Sequence, residues 1–198
     1  MAGYVVALTG ASGARYGLRL VEELLKRGDK VDLIISPAGF LILKEELGLD
    51  LASVGVKVGL KGYFKADYCT NLTHLASNDI SAAVASGSSV KKAMIISPCS
   101  MGTLARVATG VSGNLIERSA DCFLKERRTL VLVPRETPLN SIHLENMLKL
   151  SQMGAVILPA MPAFYSHPET IDDMVDFVVG KTLDALGLEN DLYRRWKK

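Results

Sequence analysis

Polar and charged residues directly follow buried apolar runs at several points of this chain, and their side chains suit a ligand site. The apolar run Leu130–Val133 ends in Pro134-Arg135-Glu136. A guanidinium and a carboxylate are unusual at the end of a buried strand, because burying a charge costs free energy unless it is paired or binds a ligand. We therefore predict that Arg135 and Glu136 form a catalytic or ligand-binding pair.

Two turns rich in small residues also follow apolar runs. The first is Thr9-Gly10-Ala11-Ser12-Gly13-Ala14, and the second is Pro98-Cys99-Ser100-Met101-Gly102-Thr103. A strand, a glycine turn and a helix expose backbone N–H groups at the helix N-terminus, which attract an anion such as phosphate. The first turn matches neither G-x-G-x-x-G nor the P-loop pattern, so on its own it also fits a plain packing role. Two such turns in one sheet favour a nucleotide-like ligand.

Four further features each allow a functional and a structural interpretation. Ser36 follows the run Val31–Ile35, where it can bind a ligand or cap the next helix. The loop Ser86-Gly87-Ser88 is rich in hydrogen-bond donors but also suits a solvent linker. Cys99 has no histidine nearby in the sequence, which favours a packed small residue over a nucleophile. His74 stands alone and is interpreted as a structural or surface residue.

The elements that must position these residues alternate along the chain. Short apolar runs predict strands, and segments with helical periodicity separate them; the segment 49–79 has no clear pattern, although 54–58 could be a short strand. The helix after Cys99 is expected to start near Leu104, and the last helix is expected to face the core with Ile171, Met174, Val175, Val178 and Val179. This alternation predicts an α/β fold, a doubly wound (Rossmann/flavodoxin-like) parallel sheet with helices on both faces. We expect one domain, 1–198, with a C-terminal tail from about 187.

Composition limits the function classes. The chain has 198 residues, of which 48% are hydrophobic and 22% charged, as in a globular protein. A net charge of +2 argues against nucleic acid or an anionic membrane as the main partner. Three cysteines without a C-x-x-C pair predict neither a disulfide framework nor a zinc site. With no signal-like N-terminus and no apolar stretch long enough to cross a bilayer, we expect a cytoplasmic protein.

An ordered set of motifs resembles one family, the UbiX-type flavin prenyltransferases. The set spans nearly the whole chain, and its order is more specific than any single motif. Its pieces are Gly10-Ala11-Ser12-Gly13-Ala14, Ser86-Gly87-Ser88, Pro98-Cys99-Ser100, Lys125-Glu126-Arg127-Arg128, Pro134-Arg135-Glu136-Thr137-Pro138 and Pro162-Ala163-Phe164-Tyr165.

The resemblance implies an activity and assigns residues to it. FMN would accept a prenyl group from dimethylallyl phosphate to give prenylated FMN, the cofactor of UbiD-type decarboxylases. The positions that match FMN-binding residues are Gly10, Ala11, Ser12, Ser36, Ser100, Met101, Gly102, Thr103 and Arg135. Those that match the prenyl-phosphate pocket are Ser86, Gly87, Arg118, Lys125, Glu136, Tyr165 and Lys181, and Glu46 matches a residue contributed by a neighbouring subunit of a dodecamer.

The chemistry of these residues agrees with that implied reaction. Breaking the allylic C–O bond leaves negative charge on the departing phosphate, which the side chains of Lys125, Arg118, Lys181 and Tyr165 would stabilise without a metal. Glu136, with Ser12 and the released phosphate, would handle the protons. Two positions depart from some family members. Lys181 replaces an arginine, which predicts weaker phosphate binding, and Ile80 replaces an aromatic residue, which predicts a different donor preference.

Two other functions remain as alternatives. One is a flavin-dependent cysteine decarboxylase of the same fold, with His74 as its candidate catalytic histidine. The substrate-binding segment P-x-M-N-x-x-M-W of those enzymes is absent from this chain. The other is a non-catalytic flavin carrier, which gives no reason to gather Arg118, Lys125, Glu136, Tyr165 and Lys181 around one flavin.

Overall fold

In a computed structural model, the chain is described over residues 2–64 and 67–196, with 67 and 68 described by their backbone only. The described strands form one six-stranded sheet in the order β3-β2-β1-β4-β5-β6, and every neighbouring pair is parallel. The strands are β1 (Gly3–Leu8), β2 (Lys30–Ile35), β3 (Leu72–Ala76), β4 (Ala93–Cys99), β5 (Thr129–Pro134) and β6 (Val156–Ile157). The predicted doubly wound α/β fold is confirmed.

Helices cover both faces of this sheet. They are α1 (Ala14–Lys26), α2 (Pro37–Leu47), α3 (Leu51–Val54), α4 (Val56–Tyr63), α5 (Met101–Ala108), α6 (Leu115–Lys125), α7 (Ser141–Gln152) and α8 (Ile171–Ala185). Short 3₁₀ turns occupy Asp67–Asn71, Ala83–Ala85 and Phe164–Ser166. No helix of the described residues is long and apolar enough to cross a membrane.

Alternation along the central strand divides the core in two. Tyr4, Val6 and Leu8 of β1 pack against α1, α8 and the helices that follow β2, whereas Val5 and Ala7 face α5, α6 and α7. All five side chains are almost completely buried. The chain leaves β1 for β2 on one side and reaches β4 on the other, so the strand order reverses between β1 and β4. In open parallel sheets, ligands bind beyond the carboxyl ends of the strands at such a reversal.

Two sequence-based expectations about the elements are wrong, and one strand was not predicted. Residues 54–58 are not a strand, because Gly55, with a φ of 84°, separates α3 from α4, and Leu51, Val56 and Leu60 bury one helical face. Helix α5 begins at Met101 rather than near Leu104, since Ser100 caps it. The edge strand β3 was missed in the segment without a clear pattern.

Part of the expected core face of α8 is also wrong. Val175, Val178 and Val179 are buried as predicted, but Ile171 is 69% exposed. Ile171 is the first residue of the helix, and it precedes the stretch that packs against α1.

Candidate functional site

The carboxyl ends of β1 and β4 are joined by a buried threonine. The Thr9 hydroxyl donates a hydrogen bond to the Pro98 carbonyl oxygen (2.7 Å) and accepts one from the Ser100 N–H (2.7 Å). Thr9 is 1% exposed, so these bonds are shielded from water. They fix the two small-residue turns relative to each other at the strand-order reversal.

Three helix N-termini converge beside these turns. Ser36 caps α2 by accepting the Gly39 N–H (3.0 Å), and Ser100 caps α5 by accepting the Thr103 N–H (3.3 Å). Asn114 caps α6 by accepting the Glu117 N–H at 3.0 Å. All three capping residues line one groove of about 370 Å³, called here the capping groove, whose walls also include Gly10, Pro37, Ala38, Thr103, Arg106 and Ile116. The positive ends of three helix dipoles therefore face the same space, which favours an anion there.

Two of the predicted flavin-binding residues form the walls of this region. A Cβ on Gly10 would lie 2.5 Å from the Ala38 Cβ, so only glycine allows the first turn to approach α2 this closely. Met101 is 6% exposed and packs into the core below α5. Ser36, for which the sequence left two interpretations open, is a helix cap that also lines the groove.

The N-terminus of α1 differs from the sequence-based expectation. Gly13 is the N-cap residue, with a φ of 106°, and no side chain at this position caps the helix through a hydrogen bond. The carboxylate of Glu46, on α2 of the same chain, accepts the Gly13 N–H (3.0 Å) and the Ala14 N–H (3.0 Å). A carboxylate of the chain itself therefore occupies the place where the sequence predicted a phosphate, and the free anion-binding surface is the capping groove.

Arg135 and Glu136 lie at the carboxyl end of β5, as the sequence predicted. Arg135 Nε donates to the Ser12 carbonyl oxygen at 3.2 Å, which links β5 to the first turn. Glu136 accepts the Thr137 N–H at 3.1 Å. Both residues line a small cavity of about 60 Å³ that also includes Met147, Pro159 and Met161. The structure thus brings Arg135 and Ser12 together and places Glu136 beside them.

Tyr16 is a neighbour of this group that sequence reasoning missed. Burial raises the pKa of the Tyr16 hydroxyl; the nearby Arg135 guanidinium opposes this rise and the Glu46 carboxylate adds to it. The ring also packs against the turn, since a Cβ on Gly13 would lie 2.7 Å from it. No motif marks this tyrosine, because its position depends on the fold of the turn.

Cys99, the last residue of β4, is fully buried, and burial raises the pKa of its thiol to about 12. Both observations fit the prediction that Cys99 is a packed small residue.

A second group of predicted residues lies at the amino ends of the strands. We call this end of the sheet the amino edge, and the end where the strands finish the carboxyl edge. Gly87 approaches Lys125, since a Cβ there would lie 3.2 Å from Lys125 Nζ. The Arg128 guanidinium donates to the carbonyl oxygens of Gly87 (3.1 Å) and Ser89, and Arg128 directly precedes β5. The Ser86 hydroxyl bonds that of Ser88 at 2.8 Å. Ser86, Gly87 and Lys125 therefore stand at the amino ends of the strands, away from Arg135 and Glu136.

The other predicted prenyl-phosphate residues are divided between the two faces of the sheet. Arg118 lies on α6 and pairs with Asp121 (2.9 Å). Tyr165 lies on the α8 face, where its ring contacts those of Phe177 (centroids 5.7 Å apart) and Trp196 (5.3 Å). Lys181, on α8, places its Nζ 5.9 Å from the centre of the Tyr193 ring. One chain does not gather Arg118, Lys125, Glu136, Tyr165 and Lys181 around one point.

The remaining candidates lie outside both groups. His74 is half-buried on the edge strand β3, where burial lowers the pKa of its imidazole, and its ring is 6.1 Å from that of Phe40. Ile80 is 63% exposed in the loop after β3. In the described residues no group of three or more histidine, cysteine, aspartate or glutamate side chains could hold a metal ion.

Comparison with known proteins identifies the family. The profile of the family described as Flavoprotein matches residues 2–183. The chain is 55% identical, over 98% of its length and 92% of the relative's, to the flavin prenyltransferase UbiX of Halalkalibacterium halodurans. Among solved structures, AnUbiX (PadA1) in complex with FMN and dimethylallyl pyrophosphate is 40% identical with a TM-score of 0.88, over all of this chain and 98% of the other.

A second solved structure has the same fold throughout. The dodecameric FMN-dependent UbiX-like decarboxylase of Escherichia coli O157:H7 is 41% identical with a TM-score of 0.87, over 99% of this chain and all of the other. The level of identity and the nearly complete coverage exclude a match of the fold alone. The chain belongs to the flavoprotein family and, within it, to the UbiX-type flavin prenyltransferases.

Proposed function

We propose that this protein transfers the dimethylallyl group of a dimethylallyl phosphate ester to reduced FMN, forming bonds at N5 and C6 of the flavin. The observation that carries this proposal is the capping groove, lined in part by Gly10 of the first turn to which Arg135 is hydrogen-bonded, in a chain whose relatives are flavin prenyltransferases. The site suits FMN because hydroxyl groups and three helix N-termini meet the needs of a phosphate ester. Gly10 and the first turn leave backbone surface beside the groove for the rest of the cofactor.

The residues that line the groove support the following arrangement of FMN. The phosphate would bind among Ser36, Ser100 and Thr103, where the helix dipoles are positive. The flavin ring would lie towards the first turn and Arg135, whose guanidinium is fixed by the Ser12 carbonyl. Gly10, Ala11, Met101 and Gly102 would form the walls. Reduced FMN supplies the two nucleophilic atoms of the reaction, N5 and C6.

The residues of the chain would act on the prenyl ester and on protons. As the C–O bond breaks, the phosphate leaves with the electron pair, and Lys125, Arg118 and Lys181 would neutralise the charge that it gains. The Tyr165 hydroxyl would donate a hydrogen bond to the same phosphate. Glu136, at the carboxyl edge, would accept a proton from the flavin as its new bonds form, with Ser12 nearby.

We propose further that neighbouring copies of the chain complete this site. Support comes from the separation of Lys125 and Gly87, at the amino edge, from Arg135 and Glu136, at the carboxyl edge. Opposite edges of one sheet can serve one ligand only if a second copy supplies one of them. The resemblance implies that Glu46 contributes to a neighbouring copy's site, and a similar protein is a dodecamer. We propose the dodecamer here, with delivery of the product to a UbiD-type decarboxylase in the cytoplasm.

Phosphate release tests the proposed transfer. Purified protein is incubated without oxygen with reduced FMN and dimethylallyl phosphate, and free phosphate is measured over time. We expect release that requires reduced FMN and that falls by two orders of magnitude or more in Lys125→Ala and Glu136→Gln. With the diphosphate ester the leaving group is inorganic diphosphate, so its release is measured instead, and the two release rates give the donor preference. Release that does not depend on reduced FMN would contradict the proposal, because it would indicate hydrolysis rather than transfer.

A further inference from the structure

Arg106 is the charged side chain of the capping groove that none of the roles above includes. It lies on α5, six residues after the cap residue Ser100, and lines the groove together with Ser36, Thr103 and Asn114. Its side chain is 47% exposed, so the guanidinium is open to the groove. One of its terminal nitrogens, Nη2, is 3.4 Å from the Thr103 hydroxyl. An arginine thus stands among the hydroxyl groups and helix N-termini that we assign to the FMN phosphate.

A buried carboxylate holds this guanidinium in place. Glu117, on α6, is 1% exposed and accepts hydrogen bonds from the Gly113 N–H (2.8 Å) and the Asn114 side-chain amide (2.8 Å). Its other partner is Arg106 Nε, which donates to Oε1 of Glu117. Because a buried carboxylate needs a full set of partners, this ion pair fixes the orientation of the arginine.

The geometry leaves part of the guanidinium free for a ligand. Glu117 uses the Nε edge, and in the described part of the chain Arg106 Nη1 has no hydrogen-bond partner. An arginine whose terminal N–H groups face outward from a fixed position can donate two parallel hydrogen bonds to a phosphate. Its charge adds to the three helix dipoles that point into the same space.

We propose that Arg106 binds the FMN phosphate and thereby determines the selectivity of this protein for FMN over riboflavin, which lacks the phosphate. This inference rests on the proposed binding of FMN in the capping groove. It adds a residue outside the matched motifs, positioned by Glu117 and therefore visible only in the fold. In the proposed arrangement the flavin ring would lie towards the first turn, so we expect loss of the arginine to weaken the binding of FMN and not that of riboflavin.

Equilibrium binding of both flavins to the full-length protein tests this role. FMN and riboflavin are titrated separately, with flavin fluorescence as the signal, into the wild type and Arg106→Gln. Charge-assisted hydrogen bonds predict that Arg106→Gln weakens FMN binding by roughly tenfold to a hundredfold and changes riboflavin binding by less than about twofold. Arg106→Lys retains the charge but cannot donate two parallel hydrogen bonds, so its affinity for FMN should lie between those of the wild type and Arg106→Gln. Lys92→Gln removes a positive charge at the amino edge and should leave both affinities unchanged.

A double variant separates phosphate binding from damage to the fold. In Arg106→Gln the buried Glu117 loses its charged partner, which could repel an anion or destabilise α6. Arg106→Gln/Glu117→Gln removes both charges, and we expect the same loss of preference for FMN over riboflavin. Equal weakening of both flavins, or unchanged FMN binding in both variants, would overturn the role of Arg106. Failure of the wild type to bind FMN would instead refute the proposed function.

Discussion

Two inactive variants should restore each other's activity if the active site lies between copies of the chain. Lys125 ends α6 just before β5, and Glu136 follows the end of β5. The six residues of that strand span about 20 Å at about 3.3 Å per residue. A lysine side chain and a five-carbon ester cannot bridge this gap. Lys125→Ala therefore damages one edge of the chain, and Glu136→Gln damages the other.

The size of the recovery follows from counting. We assume that each site takes its carboxyl edge from one copy and its amino edge from another. After random mixing at 1:1, the copy that supplies a given edge carries the wild-type residue there in half of the cases. About a quarter of the sites then contain both wild-type residues, Lys125 and Glu136, so a mixed oligomer should recover about 25% of the wild-type activity. The assay is co-expression of the two variants with different affinity tags, two-step purification of the mixed oligomers, and measurement of phosphate release.

A pair of variants from the same edge provides the control. Arg135→Gln and Glu136→Gln both damage the carboxyl edge, so no copy in their mixture supplies a sound one, and we expect no recovery. Mixed Lys125→Ala and Glu136→Gln oligomers that are no more active than either variant alone would refute the reasoning. That result would place Lys125 and Glu136 in the same chain's site or remove one of them from the reaction.

Three further predictions concern individual residues. Burial raises the pKa of the Cys99 thiol from 9.0 to about 12, so the folded state keeps a proton that the unfolded state loses; the stability advantage is complete below pH 9 and is lost as the pH rises to about 12. Between about pH 8 and about pH 10.5, the free energy of unfolding measured in urea should fall more for the wild type than for Cys99→Ala. Equal falls would contradict the burial argument. Gly10→Ala should destabilise the fold by about 1–3 kcal/mol and weaken FMN binding, because its Cβ would lie 2.5 Å from that of Ala38, whereas Gly62→Ala in α4 meets nothing within 4 Å and should be neutral or stabilising. Glu46→Gln should lower the free energy of unfolding by about 0.3–1 kcal/mol through the lost charge at the α1 N-terminus, and the matched control Glu45→Gln, an exposed residue of the same helix, should not; equal effects would rule out Glu46 as the cap.

The sequence was sufficient for the parts of the fold that depend on local patterns. Continuous apolar runs such as Tyr4–Leu8 marked strands buried on both faces, and these strands are the centre of the observed sheet. Sequence patterns did not reveal a strand whose side chains are only partly buried. In β3 only Leu72 is fully buried, so the strand lacks a clear apolar run. The interpretation of 1–198 as a single domain stays a prediction.

Some residues of the candidate site could be placed from the sequence, but the contacts between them could not. Residues directly after strands, such as Ser36, Ser100 and Arg135, could be placed at the carboxyl edge because parallel strands all end there. The side-chain partners were not predictable, since they join distant parts of the chain. Glu46 at the α1 N-terminus, Tyr16 beside Arg135, and Arg106 held by Glu117 are such cases. The motifs also gave no sign that Lys125 and Glu136 lie at opposite edges of the sheet.

The mass of the flavin after reaction tests the central claim most directly. Purified protein is incubated without oxygen with reduced FMN and dimethylallyl phosphate, and the extracted flavin is analysed by mass spectrometry. Transfer with ring closure predicts a gain of one C5H8 unit, absent when Glu136→Gln replaces the wild type. FMN that binds and returns with unchanged mass would contradict the account and leave a flavin carrier or a decarboxylase.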